Sequence, residues 1–561
     1  MSSIKYEIRQ GAYYDSVVLM QLQKSLAGLS GVVDAAVVMA TPANRDLLTS
    51  TGFEVQGIQA NADDLLIMVK ADDEEAALEA IDQVDGLLVQ RQATTGKDFR
   101  SRSLDGAAKR LPEAHWVLIS VPGRYAAGVA EEALGLGKHV LLYSDNVELK
   151  DEVRLKQLAR EKGLLLMGPD CGTAIINGIG LGFANRVRRG RIGIVAASGT
   201  GLQAVSAGIH NLGSGVSQAI GTGGRDLKAD TGGITALQGI DLLSRDPHTD
   251  VIVLVSKPPD TAVAIDLLAA AQASGKPVVV NFIGYAAPAR KMGSLHFSSS
   301  LGEAAAMAVE LARHGTGDAE PQTGENAPGN TGYLRALFSG GTLAYEALLN
   351  LQTSLAPIYS NIPIRPDQKM ADIMTSQAHT VLDMGEDDFT QGRLHPMLDN
   401  DLRLRRLEQE AVDAQVGLIM LDVVLGEGAH ADPASELAPA IAAIKEAREL
   451  EVVAIVLGTD EDPQDLDAQV EKLAGAGAIV FRDTVEAAAY AGRLLRPAYE
   501  YEYPGLPLAH FNGELAAINV GLESFYDSLK SQGATAVQVD WRPPAGGNEK
   551  LMEILAMMKR K

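Results

Sequence analysis

The run Arg191–Ala197 (RIGIVAA) is apolar at nearly every position and passes directly into Ser198-Gly199-Thr200-Gly201 and another apolar stretch. Strand-length runs without polar alternation belong to parallel sheets buried on both faces, and parallel neighbours need long crossovers, usually helices. The pattern returns at Tyr333–Phe338, followed by Ser339-Gly340-Gly341-Thr342 and the helix-length run 343–351. Further apolar runs at His115–Val121, His139–Ser144, Leu164–Met167, Val251–Val255, Val278–Asn281, Val381–Asp383, Val416–Leu421, Val452–Leu457 and Ala478–Phe481 are separated by helical periods. The expected fold class is therefore α/β, with several parallel sheets.

At about 150 residues per domain, a chain of 561 residues holds three or four. The boundaries expected are an α/β module of ferredoxin-like flavour over 1–110, half of a nucleotide-binding type of sheet over 111–188, a third unit over 189–315, and a linker over 316–332. A fourth unit follows over 333–498, then a carboxy-terminal extension over 499–561. In that extension the pattern predicts a helix over Leu515–Gln532, a strand over Ala536–Trp541 and a basic amphipathic helix over Asn548–Lys561.

Charge and cysteine narrow the function. With 49 Lys and Arg against 72 Asp and Glu, the net charge of −23 repels nucleic acid and acidic lipid surfaces. The single cysteine, Cys171, excludes an intrachain disulfide and a multi-cysteine zinc site, and it reads as a small buried residue in a reducing compartment. The start, Met1-Ser-Ser-Ile-Lys-Tyr-Glu, has no apolar signal region, so a soluble cytoplasmic protein is expected.

The two strand-to-helix turns are where chemistry is expected. A helix start leaves main-chain N–H groups unpaired and carries a partial positive charge, and small residues let an anion reach them. Ser198, Gly199 and Thr200, and Ser339, Gly340, Gly341 and Thr342, are thus candidate phosphate ligands. A third Gly-rich strand exit, Ile220–Leu227 (IGTGGRDL), adds Gly223, Gly224 and Arg225, whose guanidinium suits a carboxylate or phosphate. Neither serine has a histidine beside it in sequence, so binding through amides is preferred to covalent catalysis.

Residues 115–315 resemble the α subunit of succinyl-CoA synthetase, through Met167–Asn177 (MGPDCGTAIIN), Gly190–Thr200 (GRIGIVAASGT) and Gly221–Gly224 (GTGG). Residues 333–490 resemble the carboxy-terminal domain of its β subunit, through Leu382-Asp-Met-Gly385 and the pattern after Val416. The whole chain, with Gly221–Leu227, His395-Pro-Met397 and Asn519–Ser524, is similar to the FdrA family of acyl-CoA synthetase-like proteins. The resemblance implies Rossmann-like and flavodoxin-like sheets of succinyl-CoA synthetase type, and two helix starts that cradle one phosphoryl group. It also implies oxamate carbamoyltransferase activity in purine (allantoin) catabolism, with carbamoyl phosphate or phosphate as substrate, companion subunits and a homo-oligomer.

The chain departs from the ligase pattern at several points. The ligases' phosphohistidine follows a Met-Gly pair; here Met292-Gly293 is followed by Ser294-Leu295, and His296 reads as a strand residue. The glutamate that orients that histidine corresponds to Lys257, a cation suited to an anionic substrate. The ligases' CoA-binding domain opens with a Gly-rich diphosphate turn, and that half reads as replaced by residues 1–110, which carry no such turn; this argues against CoA binding, and no Walker sequence or ATP-grasp module is present.

The densest chemical segment is Asp383–Asp399, with Asp383, Glu386, Asp387, Asp388, Asp399, Arg393 and His395. It follows a strand, on the edge where α/β sites form. His395 is the expected proton shuttle, and Arg393 and Lys257 are expected to hold substrate oxygens, with His430 as the rival histidine. No metal site is expected. The main reading is carbamoyl or acyl transfer at phosphate. The alternatives are an NDP-forming acyl-CoA synthetase with a separate ATP-binding partner, and a non-catalytic scaffold or metabolite-sensing subunit.

Overall fold

The computed structural model describes residues 3–9, 16–61, 64–87, 100–285, 287, 289–314, 332–391, 393–496 and 499–543. Most of the expected linker and the Asn548–Lys561 helix lie outside them. Two compact units emerge: residues 1–186 with 509–561, and residues 187–508.

The first unit begins with an antiparallel sheet in the order β1 (Ser3–Arg9), β3 (Leu65–Ala71), β2 (Val32–Met39). Side chains alternate across a strand, so β3 sends Leu65, Ile67 and Val69 into one core and Leu66 and Met68 into another. This central strand is apolar almost throughout because both its faces are covered.

A second, parallel sheet holds β4 (Trp116–Ile119), β5 (His139–Leu142) and β6 (Leu166–Met167), and the hairpin β7 (Thr173–Ile176) and β8 (Ile179–Gly182) follows. Helices Gly123–Gly135 and Leu149–Glu161 make the crossovers. Ala126, Ala130 and Ala133 are fully buried, small enough to let the first helix lie close on the sheet.

In the second unit, β9 (Arg189–Ala196), β10 (Val216–Gly221), β11 (Val251–Ser256), β12 (Val278–Phe282), β13 (Lys291–Met292) and β14 (Leu295–Phe297) form a sheet ordered β13-β14-β12-β11-β9-β10. Gly193 in β9 lets the Leu243 side chain lie close on the strand, since a Cβ there would meet it at 2.7 Å. The other sheet contains β15 (Tyr333–Phe338), β16 (Ile358–Ser360), β17 (His379–Asp383), β18 (Val416–Val424), β19 (Glu451–Leu457) and β20 (Ile479–Phe481), ordered β16-β17-β15-β18-β19-β20. All its pairings are parallel, and β15 sits centrally between β17 and β18.

The carboxy-terminal segment departs from expectation. Leu515–Gln532 is not one helix: it divides into β21 (Ala516–Val520), Gly521 at φ +124° and the helix Glu523–Ser531, before β22 (Thr535–Val539). The run AAINV is fully buried and pairs with β4; five residues are too few for periodicity to tell a buried strand from a helix. The first unit's parallel sheet therefore reads β22-β21-β4-β5-β6. Its leading strand–turn–helix comes from the end of the chain, while residues 1–87 build their own sheet. Residues 1–110 thus do not stand in for it.

Candidate active site

Sheet register builds the site. Phe338 pairs with Asp383 on one side of β15, and Leu337 pairs with Leu421 on the other. The turn Ser339-Gly340 therefore opens the helix Gly341–Leu351 between Asp383 and Asp422, both almost fully buried.

Asp422 fills that helix start. Its Oδ1 accepts the Ser339 N–H at 2.7 Å and the Ser339 hydroxyl at 2.9 Å, and its Oδ2 accepts the Gly340 N–H at 2.8 Å. The buried Arg403 guanidinium lies 3.3 Å from Oδ1 and also donates to the Asp422 carbonyl. Two of the amides expected to hold phosphate are thus occupied by the chain's own carboxylate. Gly341 and Thr342 follow in the first turn, and Thr342 is exposed.

Asp383 is held differently. Asn361 clips its backbone, accepting its N–H at 3.0 Å and donating to its carbonyl at 2.8 Å, and Asp383 Oδ1 accepts the Gly385 N–H at 2.9 Å. Among the described residues no cation is paired with it. Burial raises its pKa above the ordinary carboxylate value; the Gly385 bond opposes this, the charges of Glu386 and Asp422 add to it, and His395 opposes it.

His395 Nδ1 accepts the Met397 N–H at 3.2 Å, which leaves the ring proton on Nε2. Around Gly385 the groups converge: a Cβ there would lie 2.8 Å from His395 Nε2, 2.9 Å from the Ser339 carbonyl oxygen and 3.1 Å from Asp383 Oδ1. A carboxyl whose proton affinity burial raises and an imidazole presenting its Nε2–H thus flank one bare stretch of backbone. Such a pair can give a proton to one atom and take one from another.

The other candidates are dispersed. Arg393 is exposed, as are Glu386, Asp387, Asp388 and Asp399. His430 belongs to the adjoining loop: its N–H donates to the Met397 carbonyl at 2.8 Å, and its Nε2 lies 3.1 Å from Glu436. In the first sheet of this unit, Ser198 caps its helix through the Gly201 N–H at 3.1 Å, while Gly199 and Thr200 stay exposed. Lys257 is exposed just beyond β11. Gly223 sits at φ +88°, and Gly224 and Arg225 are exposed beside it. Next to them, the buried Asp226 accepts the Thr235 and Ala236 N–H groups at 3.2 and 2.9 Å, a second carboxylate on a helix start. His296 lies within β14, paired with Lys291. Cys171 is buried, with its Sγ 3.7 Å from the Thr173 carbonyl oxygen.

Sequence reasoning missed Asp422, Asn361 and Arg403. Asp422 left a signal, since a carboxylate inside the run VGLIMLDVV is costly unless something specific holds it. Asn361 and Arg403 left none, because they occupy a polar loop and a charged helix. Among the described residues no group of three or more His, Cys, Asp or Glu side chains is placed to hold a metal, and no helix is long and apolar enough to cross a membrane.

The CoA-ligase family model matches residues 337–494, the succinyl-CoA ligase like flavodoxin domain matches 189–320, and the AllF heavy metal-associated domain matches 1–103. The chain is 43% identical over 499 residues to the uncharacterized protein YahF of Escherichia coli (strain K12), covering 85% of this chain and 96% of YahF. It is 31% identical to the α subunit of the ADP-forming succinate–CoA ligase of Aquifex aeolicus, over 26% of this chain and 48% of that subunit. To the malate–CoA ligase α subunit of Methylorubrum extorquens it is 28% identical, over 34% of this chain and 66% of that subunit. The chain therefore spans about half to two thirds of these ligase subunits. Among solved structures, PH0766 from Pyrococcus horikoshii OT3 aligns with 71% of this chain and 88% of its own, at 14% identity and a TM-score of 0.31.

Proposed function

The chain belongs to the FdrA-like family, together with YahF, and from that premise we propose that it is an acyl-CoA synthetase-type enzyme subunit that transfers an acyl group between phosphate and an acceptor. The observation that carries this reading is the convergence of Asp383 and His395 on Gly385, at the carboxyl edge of the sheet that matches the CoA-ligases. The acyl carbonyl lies against Gly385. The His395 Nε2–H donates toward the oxygen that gains charge, and the Asp383 carboxylate, made more basic by burial, takes the proton of the incoming acceptor. The main-chain amides of the exposed residues Gly199 and Thr200 hold the phosphate, with Lys257 and Arg225 as neighbouring cations. ATP is supplied through a separate partner, as the sequence has no Walker motif.

In an open parallel sheet, ligands bind beyond the carboxyl ends where strand order reverses, which here lies between β21 and β4. The turn there does not suit a diphosphate. The Leu522 N–H is taken by the Ser120 hydroxyl at 2.7 Å, and Glu523, ion-paired with Arg100, places a carboxylate in the first helical turn. The diphosphate of CoA is accordingly not assigned to that helix start.

The second reading, carbamoyl transfer to an acceptor such as oxamate, is favoured by the AllF-type domain over residues 1–103. Titration calorimetry with CoA and with carbamoyl phosphate, at matched ionic strength, separates the two. Binding of CoA supports the synthetase, and carbamoyl phosphate binding without CoA supports the second reading. Binding of neither overturns both.

A further inference from the structure

The first unit contains a group of histidines that this functional reading does not use. His139 begins β5 and is fully buried, His115 precedes β4, and His510 lies on the short helix Ala509–Asn512 that opens the carboxy-terminal segment. His139 Nδ1 accepts the Leu165 N–H at 2.9 Å, so the His139 proton sits on Nε2. That Nε2 is 3.0 Å from His510 Nδ1, which must therefore be the acceptor. These tautomers are assigned from the hydrogen-bond partners. The His510 ring stacks on His115 with centroids 3.6 Å apart and planes 13° from parallel. Trp116 Nε1 donates to the His510 carbonyl at 3.2 Å, and Phe511 packs edge-on against Trp116 and His139.

This geometry holds only with neutral rings. A proton added to His510 Nδ1 makes it a donor facing the His139 Nε2–H donor, and charging His115 as well stacks cation on cation. The other charged groups facing the set are Lys138, which acts on His115 and His510, and Glu113, which acts on Lys138. Burial is the leading cause that lowers the pKa values of all three histidines, with Lys138 reinforcing it on His115 and His510; the His139 pKa is pushed down to about 3.

We infer that His139, His510 and His115 form a proton-sensitive latch, which holds the segment Ala509–Val539 in the first unit's parallel sheet at neutral pH and releases it on acidification. Native rings bind fewer protons than released ones below the ordinary histidine value of about 6.5. The latch is therefore fully closed above that pH, and opening steepens by up to about tenfold per pH unit for each proton taken up. Nothing in this depends on the enzymatic reading.

The test is hydrogen exchange on the full chain at pH 7.5 and 5.5, corrected for intrinsic rates, with β9 and β11 as internal references. The opening constant of β21 and β22 is expected to rise at least about tenfold relative to the references. In the double variant His139→Gln/His510→Asn, whose amides supply the same donor and acceptor without titrating, the rise is expected to shrink below about threefold. A rise under about twofold in the unsubstituted chain, or an equal rise in the double variant, overturns the latch. Should the double variant fail to fold, ring nitrogen titration of the unsubstituted chain decides. Both His139 and His510 staying neutral to pH 5.5 in the closed form supports the latch, and either one titrating near 6.5 with β21 still protected overturns it.

Discussion

The carboxylate of Asp422 closes on the main-chain N–H of Ser339 at 2.7 Å and on that of Gly340 at 2.8 Å. A helix start that the small residues offer to a ligand is thereby closed from within, and the negative charge that closes it is balanced by the buried Arg403.

Asp422→Ala leaves Arg403 buried without its carboxylate and frees two amides. Removing one partner of a buried ion pair costs about 3–5 kcal/mol, so thermal and urea unfolding should show a loss of that size. A loss below about 1 kcal/mol, the range of an exposed pair, would show that Asp422 is not held as described.

Gly385→Ala puts a methyl group 2.8 Å from His395 Nε2 and 2.9 Å from the Ser339 carbonyl oxygen. Crowding of this kind costs about 1–3 kcal/mol, and displacing His395 by even 1 Å should lower turnover about 100-fold. Steady-state kinetics with a melting curve on the same sample separates the two effects; undiminished turnover would remove the Gly385 contact from the mechanism.

The two Gly-rich turns should respond differently. Gly199 is exposed and its amide faces no carboxylate in the described contacts, so Gly199→Val is expected to weaken inorganic phosphate binding about tenfold, or 1.4 kcal/mol, at unchanged melting temperature. At Gly340 a Cβ would lie 3.2 Å from Asp422 Oδ2, so Gly340→Val should lower stability and leave phosphate affinity intact. Calorimetry on both variants checks this, and the reverse pattern would return phosphate to the Ser339 turn.

Asp383 supplies a pH prediction. Its folded pKa is raised by burial, so the native state binds its proton more tightly than the unfolded chain does. Its contribution to stability is full below the ordinary value near 3.9 and is lost as pH rises through the folded value. Asp383→Asn should therefore melt higher than the unsubstituted protein at pH 7 but no higher at pH 3.5, while turnover drops about 100-fold or more. Equal melting shifts at both pH values would show that Asp383 does not carry the proton.

How much was legible beforehand follows from what each element needs. The apolar runs at β9, β11, β15 and β18 announce buried parallel strands because both faces are covered, and the turns after β9 and β15 announce themselves through small residues. His296 reads as a strand residue and lies in one. The filling of the Ser339 turn was not legible, since it depends on β18 lying beside β15, a long-range pairing that periodicity does not carry. Nor was the placement of β21, whose five residues find a sheet nearly four hundred positions back along the chain.

That last pairing dictates an order of assembly. While the chain is being made, β4 presents a row of unpaired main-chain groups, and roughly 350 residues must follow β6 before β21 and β22 exist to cover them. At about 5–20 residues per second the exposed edge stands open for about 20–70 s, in which the second unit can complete its sheets. The sheet of β4, β5 and β6 is thus among the last to become complete. A premature stop or a bulky fusion near Thr535 would damage a layer encoded more than 350 codons upstream, and an open strand edge of that kind invites pairing with another copy of the chain.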